Sequence, residues 1–515
     1  MPTKNSFNLR SFAFSFAFFS ITKHWPKSIQ RFNIRNMTTA KTFYWYDLET
    51  FGLNAARDRI AQFAGIRTDL DLNIIDDPLI LYCKISRDVL PQPEACLVTG
   101  ITPQKTLADG VNENEFISAI HAEFAKPNTC VAGFNNIRFD DEFMRYALYR
   151  NFYDPYAREW QNGNSRWDII DMVRITRALR PEGINWPVDE NGIATNRLEL
   201  ITKANGIAHT AAHDAMSDVY ATIAVARLIK QNQPRLYDFI ATHRSKDKIA
   251  ELLNIHHPAP VLHASDMFPG LVCNTAIVLP VAPHPTNKNG IIVYDLRYDP
   301  APLLTLTADE IRQRIYTPRN ELPDGVERIP VKTVHINKCP VVVPLNTLDD
   351  ASAIRLNIDK PLHLKNSLTL MSNIDSIRKK LRDVFSDNPF PPTDDPDLSL
   401  YSGGFFSETD RQRMQQIRAT PADKLGALKL NFNDARLDEM LFRYRARNFP
   451  HTLNNDELAN WQLYRQKRIT KTDGGGSITL EDYKIKIAEL LANESLSPEK
   501  QAVLRDLTSY AQQLL

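Results

Sequence analysis

The sequence has no excess of charge and few cysteines. Its 62 lysines and arginines are balanced by 61 acids, so the formal net charge of the 515 residues is +1. This balance excludes a uniformly basic nucleic-acid-binding chain, and any site for a polyanion must be local. The five cysteines have neither zinc-ribbon nor disulfide spacing, and the two nearest in sequence are Cys83 and Cys96. This pattern favours reduced thiols and a cytoplasmic protein.

The sequence also lacks a hydrophobic run long enough to cross a membrane. The apolar segment 11–22 is shorter than the about 20 residues that a spanning helix needs, so no membrane association is predicted. Residues 1–36 contain six lysines or arginines and no acid, so leaving them out changes the formal charge from +1 to −5. A targeting peptide stays open as an explanation. We prefer to interpret residues 1–36 as a dispensable or mis-started extension, with Met37 as the start.

Three regions differ in their hydrophobic patterning. Between residues 42 and 230, short apolar strands alternate with amphipathic helices, which is typical of an α/β domain. Residues 235–385 contain short β-branched runs punctuated by proline, which predict a β-rich domain. From residue 390 to 515 the apolar spacing is helical, interrupted by a glycine segment at 473–477 that we expect to be flexible. The sequence therefore predicts an α/β multidomain protein.

Acidic residues are grouped at three places in the first region. Asp47 and Glu49 end a predicted strand, where residues two apart project from the same face. Asp140 comes just after a buried strand predicted at 129–135, and His213 stands five residues before Asp218. Carboxylates aimed at one point need a cation, and oxygen ligands suit Mg²⁺ or Mn²⁺. Each group taken alone could instead be a solvated turn or a helix cap.

The order D-x-E, N-x-x-F-D and H-x-A-x-x-D resembles the three signature segments of the DEDDh branch of the DnaQ-like 3′→5′ exonucleases. The segments ALRPEGINWP (178–187) and YRARNFP (444–450) are similar to a bacterial group in this branch that degrades single-stranded DNA. This resemblance implies an RNase H-like (DnaQ-like) exonuclease domain, an SH3-like β-rich domain and an all-α C-terminal domain, which together form a C-shaped channel. It also implies processive release of 5′-mononucleotides, with roles in DNA repair and recombination.

The resemblance further implies two Mg²⁺ ions per active site, for which Mn²⁺ can substitute. Asp47, Glu49 and Asp218 are the expected metal ligands, Asp140 is the fourth catalytic acid, and His213 is the general base. A histidine suits that role because its ordinary pKa of about 6.5 lies near neutral pH. Glu49 and Arg197 are expected to bind the terminal nucleotide. The residues expected to contact DNA are Arg145, Tyr156, Trp160, Arg174 and His213. Arg180 and Phe239 are expected to bind the C-terminal tail of the single-stranded-DNA-binding protein.

Several residues have competing interpretations. We interpret Asp141 as an acid in the first turn of a helix, and Asp168 with Asp171 as a solvated or capping pair. Arg443 and Arg447 are four apart on one helical face, where they would contact phosphate or face solvent.

Three other activities compete with a DNA exonuclease. An exoribonuclease of the same branch would share the metal site and stays open. The two additional domains argue against a proofreading subunit, and the four intact acids argue against a pure binding module. A channel built within one chain favours a monomer.

Overall fold

The computed structural model describes residues 40–209, 214–386, 393–493 and 495–514, all of which belong to one compact unit. The predicted extension 1–36 and the candidate base His213 therefore lie outside the described residues. Among the residues that the structure describes, no helix combines the length and apolar character needed to cross a membrane.

The first region is built on a five-stranded sheet with the order β3-β2-β1-β4-β5. Its strands are β1 (Thr42–Thr50), β2 (Ile60–Thr68), β3 (Leu79–Tyr82), β4 (Thr129–Gly133) and β5 (Ser165–Asp168). The central strand β1 pairs antiparallel with β2 and parallel with β4, and β4 pairs parallel with β5. Because parallel strands end at the same edge, residues that follow β1 and β4 come close together.

Seven helices accompany this sheet in the described part of the region. They are α1 (Pro93–Thr99), α2 (Pro103–Asp109), α3 (Glu113–Phe124), α4 (Asp140–Arg150), α5 (Ile170–Leu179), α6 (Leu198–Ala204) and α7 (Ala215–Asn232). The next helix, α8 (Pro234–His243), packs against α5 and α7, whereas α9 (Lys246–Leu252) shares a hydrophobic cluster with residues of the second region. Helix α7 packs against β1 and β2. The Asp214 carboxylate caps its start by accepting a hydrogen bond from the Ser217 amide. This cap fixes where the first turn of α7, which contains Asp218, begins.

The second region contains an antiparallel sheet with the order β10-β6-β7-β8-β9. Its strands are β6 (Val261–Ala264), β7 (Thr275–Pro283), β8 (Gly290–Asp295), β9 (Val331–His335) and β10 (Val342–Pro344). The predicted strands are confirmed, but the region also contains the helices α10 (Ala301–Thr305), α11 (Ala308–Tyr316), α12 (Asp350–Arg355), α13 (Lys360–Ser372) and α14 (Ile374–Val384). Trp45 and Trp167 of the first sheet share one hydrophobic core with Leu262 and Leu279 of the second.

The third region is helical, as its apolar spacing predicts. Its helices are α15 (Glu408–Ala419), α16 (Ala422–Leu425), α17 (Arg436–Asn448), α18 (Asn455–Thr470), α19 (Leu480–Leu491) and α20 (Pro498–Gln513). Tyr483 and Leu507 share a hydrophobic cluster with Phe51 and Leu90 of the first region. The third region therefore packs directly against the segment that follows β1.

The glycine segment 473–477 is packed against other residues, so the prediction of a flexible interruption is wrong. The Gly476 carbonyl accepts a hydrogen bond of 2.9 Å from the Arg57 guanidinium. Gly475 has a φ of +89°, a conformation that residues with a Cβ rarely adopt. A Cβ on Gly474 would lie 2.2 Å from the Lys467 carbonyl oxygen. The glycines are present because the chain passes close to its neighbours, and not because it needs to be mobile.

Candidate active site

Three carboxylates meet at the end of β1. Asp47 and Glu49 project from the same face of the strand, and the first turn of α7 brings Asp218 over it. One oxygen from each of these three side chains lies within 4.8 Å of the others. Carboxylate oxygens at this separation could hold a divalent cation. The structure therefore brings together the three residues expected to bind metal.

Asp140 completes the acidic group from the side of β4. It is the first residue of α4 and is buried, and its carboxylate accepts a hydrogen bond of 3.1 Å from the Leu48 amide. Leu48 stands between Asp47 and Glu49, so this bond ties the start of α4 to the acidic end of β1. The four acids predicted from the sequence are thus neighbours in the fold.

The electrostatics of this cluster favour a bound cation. Burial, followed by the negative charges of Asp140, Asp218 and Asp214, raises the pKa of Asp47 well above its usual range. Burial and the same kind of repulsion raise the pKa of Glu49 to about 9. Ionised carboxylates in this position are costly unless positive charge is supplied from outside the chain.

A histidine that the sequence analysis did not name contacts the cluster. The Nε2 atom of His209 lies 2.5 Å from Oδ1 of Asp218, and its Nδ1 atom lies 3.2 Å from the Thr202 hydroxyl oxygen. His209 belongs to the segment between α6 and α7, where no helical or strand periodicity predicts which way a side chain points. Its proximity in sequence to the H-x-A-x-x-D segment was the only available indication.

The acids that competed for the metal site have structural partners. Asp141 is in the first turn of α4, as predicted, but it is buried and accepts hydrogen bonds from Tyr46, Arg158 and Arg166. Although burial opposes ionisation, the two guanidinium groups hold the pKa of Asp141 below its usual range. A solvent-facing helix acid would show neither feature, so Asp141 forms part of a buried ion network.

Asp168 and Asp171 do not form a solvated pair. Asp168 is buried, and its carboxylate accepts hydrogen bonds from the amides of Asn135, Ile137 and Ile170. Asp168 thus accepts hydrogen bonds from backbone amides in two separate segments. The prediction that it caps backbone amides is confirmed, and the prediction that it is solvated is wrong. Asp171 pairs with Arg174 at 2.5 Å on the same helix.

A cleft of about 2530 Å³ is bounded by all three regions of the fold. Three of the expected DNA contacts line it, namely Arg145, Tyr156 and Trp160. The indole of Trp160 is 66% exposed, whereas the Arg145 side chain is 5% exposed and is hydrogen-bonded to Glu142 and Glu159. The residues that line the cleft from the second and third regions include Asn287, Lys288, Asn337, Lys338, Tyr401, Phe405 and Arg411.

The cleft and the acidic cluster lie towards opposite ends of β1. Lys41 and Phe43, at the start of the strand, line the cleft, whereas Asp47 and Glu49 stand near its end and do not.

Four other predicted contacts lie outside the cleft. The Arg174 side chain is buried beside Asp171, and the exposed Arg197 side chain pairs with Glu199 at 2.5 Å. Arg180 donates to the Thr347 carbonyl and pairs with the Asp349 carboxylate of the second region. Phe239 is half-buried on α8, and its ring stacks on the imidazole of His243 with 3.9 Å between centroids.

The interpretation of Arg443 and Arg447 as solvent-facing residues is wrong. The side chains are buried, with Arg443 paired to Asp395 at 2.5 Å and Arg447 paired to Asp88 at 2.9 Å and to Asp397 at 2.6 Å. Their guanidinium groups are thus occupied by carboxylates of the chain itself. With Arg59 and Arg468 they form a cluster, here called the arginine–aspartate cluster, that joins the first and third regions.

Comparison with known proteins identifies each region of the chain. Family profiles match residues 44–226 as an exonuclease domain, residues 244–387 as the exonuclease I SH3-like domain and residues 394–514 as the exonuclease I C-terminal domain. The three kinds of domain implied by the sequence resemblance are therefore confirmed.

Relatives of similar length match nearly the whole chain. Exodeoxyribonuclease I of Escherichia coli is 46% identical over 92% of this chain and 98% of its own length, and that of Haemophilus influenzae is 47% identical over 92% and 99%. A solved exonuclease I from Methylocaldum szegediense has a TM-score of 0.88 at 51% identity, covering 92% of this chain and all of its own.

Two further solved structures are complexes of the same kind of protein. Escherichia coli exonuclease I with a dA16 oligonucleotide has a TM-score of 0.89 at 47% identity, covering 92% of this chain and all of its own. A structure of SSB/exonuclease I with the inhibitor CFAM has a TM-score of 0.85 at 45% identity and covers 93% and 100%. The chain belongs to the exodeoxyribonuclease I family.

Proposed function

We propose that this chain hydrolyses single-stranded DNA from the 3′ end, processively, and releases 5′-mononucleotides in DNA repair and recombination. The observation that carries the proposal is the group of three carboxylates whose oxygens lie within 4.8 Å, next to the buried Asp140. The complex of the Escherichia coli relative with dA16 supports single-stranded DNA as the substrate.

The donor set of the site fits a hard divalent cation. In the described part of the chain, three carboxylates form the group that could hold an ion, and oxygen ligands favour Mg²⁺ or Mn²⁺ over softer metals. We propose two Mg²⁺ ions held by Asp47, Glu49 and Asp218. When bound, such a pair supplies an activated water and neutralises charge on the leaving oxygen.

The chain's own residues would supply position and proton transfer. Asp140 fixes the end of β1 through the Leu48 amide, which orients Asp47 and Glu49 towards each other. We assign the role of general base to His213, which precedes the capped first turn of α7 that bears Asp218. Arg197 and Glu49 are proposed to hold the terminal nucleotide.

The cleft is the proposed path of the strand. Non-specific binding of single strands combines positive charge with aromatic faces on which bases stack. The exposed ring of Trp160 offers such a face, and the Arg145 guanidinium lies 5.3 Å from the centre of the Tyr156 ring. Lys288 and Lys338 add positive charge from the opposite region. We include Arg174 as a further DNA contact.

The proposed protein partner is the acidic C-terminal tail of the single-stranded-DNA-binding protein. Arg180 and Phe239 are the candidate contacts, since such a peptide needs an arginine for its carboxylate and an apolar surface beside it. The SSB/exonuclease I complex of a relative supports this partner. We further propose a cytoplasmic monomer, because the five cysteines are free thiols and one chain bounds the whole cleft.

One experiment tests strand type, polarity and metal dependence together. Oligonucleotides labelled at either end, as single-stranded DNA, duplex DNA and single-stranded RNA of the same sequence, are digested with Mg²⁺ and with EDTA. We expect mononucleotides from the 3′ end of single-stranded DNA, with Mg²⁺ only. Preferential digestion of the RNA would instead support the exoribonuclease alternative, and digestion in EDTA would refute the metal site.

A further inference from the structure

His209 is a buried titratable residue to which the proposed mechanism gives no role. Its side chain is 5% exposed and lies between α6 and α7. One ring nitrogen, Nε2, is 2.5 Å from Oδ1 of Asp218, and the other, Nδ1, is 3.2 Å from the Thr202 hydroxyl oxygen. The imidazole thus connects a proposed metal ligand to the body of α6.

The chemistry of the partners decides how the ring is oriented. A carboxylate that binds a cation is ionised and can only accept hydrogen bonds, so Nε2 must carry the proton and donate it to Asp218. The Thr202 hydroxyl oxygen lies 3.2 Å from Nδ1, and its single proton is shared with the Leu198 and Glu199 carbonyl oxygens, each 3.0 Å away. The contacts from Thr202 to His209 to Asp218 form a relay that connects α6 to the acidic group.

The far end of this relay is rigidly held. Thr202 is fully buried in α6, and its carbonyl accepts a hydrogen bond of 2.9 Å from the Ile207 amide, which closes the turn after the helix. Helix α6 begins directly after Arg197, the proposed contact to the terminal nucleotide. Both Arg197 and His209 are thus attached to one short helix.

We propose that His209 is a positioning residue, anchored on Thr202, that fixes the orientation of the Asp218 carboxylate within the metal site. The inference rests on the proposed function, because it assumes that Asp218 binds metal. Residues that hydrogen-bond to metal ligands determine ligand orientation, and losing them weakens metal affinity by about 10–100-fold. His209 would act through Asp218 without contacting substrate.

The test measures metal binding directly. Mn²⁺ is titrated into the full-length wild-type protein and its variants without DNA, and free Mn²⁺ is followed by electron paramagnetic resonance. We expect His209→Ala to weaken Mn²⁺ binding by about 10–100-fold. His209→Gln should recover most of that loss, because the glutamine amide can donate from nearly the same place as Nε2. Thr202→Val should show a smaller loss, because it removes only the anchor.

Matched controls separate this role from a general effect on folding. His256→Ala removes an exposed histidine far along the chain and should leave Mn²⁺ affinity unchanged. Melting temperatures in EDTA show whether each variant is folded. If His209→Ala does not fold, the other two variants test the inference. The relay predicts that Thr202→Val binds Mn²⁺ more weakly than wild type, whereas His209→Gln keeps an Mn²⁺ affinity close to that of wild type.

Two results would overturn the inference. One is a folded His209→Ala variant that binds Mn²⁺ as tightly as wild type, and the other is a His209→Gln variant as weak as the alanine variant. Failure of the proposed function would look different, because the wild-type protein itself would then bind no Mn²⁺ and leave the labelled single-stranded DNA intact.

Discussion

Two groups of acidic residues behave in opposite ways in this protein. At the end of β1, Asp47 and Glu49 face other carboxylates, and burial together with that repulsion raises their pKa values. In the arginine–aspartate cluster, Asp88 and Asp397 are even more deeply buried, but the guanidinium groups around them hold their pKa values below the usual range. The charge of the neighbouring groups therefore decides whether the charged form is favoured.

The difference indicates what each group is for. A buried carboxylate that pairs with arginines within the chain already has its counter-charge, so it contributes to holding two regions together. A group of carboxylates that face one another stores electrostatic repulsion that a metal ion relieves. Substitutions that neutralise one acid in each group should therefore have opposite consequences.

The largest effect is expected from Asp218→Asn. This change removes one of the three proposed metal ligands, and metal assistance contributes several kcal/mol to such a reaction. Since about 1.4 kcal/mol corresponds to tenfold in rate, the rate of hydrolysis should fall on the order of 10³-fold or more. Single-turnover digestion of 3′-labelled single-stranded DNA with Mg²⁺ measures this loss.

The same variant should keep its stability and its strand binding. Neutralising Asp218 reduces the repulsion within the acidic group, so the melting temperature in EDTA should equal or exceed that of the wild type. Binding of single-stranded DNA in EDTA should be retained, because the cleft residues are unchanged. Near wild-type turnover in Asp218→Asn would contradict the assignment of this residue to the metal site.

Asp397→Asn makes the corresponding change in the other group and should destabilise the protein. The carboxylate is within 3.1 Å of Arg443 and 2.6 Å of Arg447, both of which are buried. Removing one partner from such a buried group costs about 3–5 kcal/mol, because it leaves uncompensated charge. Urea unfolding at pH 7 in EDTA measures this cost. An unchanged unfolding midpoint would show that the cluster does not hold the regions together.

Acidification should remove the same stabilisation without any mutation. Although burial alone would raise them, the pKa values of Asp88 and Asp397 are held low by their arginines in the folded state, whereas an unfolded aspartate has a pKa of about 3.9. The folded state therefore binds fewer protons than the unfolded state over this range. The stabilisation is complete above about pH 5 and is lost as the pH falls through the folded-state values.

The comparison between wild type and Asp397→Asn isolates this contribution. Urea unfolding midpoints measured from pH 7 down to pH 3 should fall more steeply for the wild type, so that the difference between the two proteins begins to narrow below about pH 4. If the unfolding midpoints of the two proteins fell in parallel with pH, the acid-sensitive groups would lie elsewhere in the protein.

Local periodicity predicted the acidic group but not its surroundings. Asp47 and Glu49 share a face because residues two apart on a strand always do, and the helical pattern around Asp218 set the position of that residue. The same reasoning was wrong for Arg443 and Arg447, because helical spacing indicates that two side chains share a face without indicating what that face packs against. The acids that bind them, Asp88 and Asp395, are remote in sequence.

Segments without helical or strand periodicity account for the remaining differences between the sequence predictions and the structure. His209 lies in a connecting segment, so its contact with Asp218 depends on how α6 and α7 pack together. The glycines at 473–477 were expected to confer flexibility, but Gly474 and Gly475 are required by close packing and a positive φ, which depend on neighbouring segments. A run of glycines in the sequence shows that the backbone there is unusual, but it does not show whether the cause is mobility, close packing or a positive φ.

The smallest effect is expected at a surface ion pair, which provides the reference for the buried clusters. Lys248 and Glu251 on α9 are 2.8 Å apart, with side chains 48% and 64% exposed. Water and salt screen such a pair, so Glu251→Gln should change the free energy of unfolding by less than about 1 kcal/mol. It is the same carboxylate-to-amide change as Asp397→Asn, so the ratio of the two unfolding effects compares a buried ion-pair cluster with an exposed ion pair. Equal effects at both sites would mean that the buried arginines are compensated by other acids, such as Asp88 and Asp395, when Asp397 is neutralised.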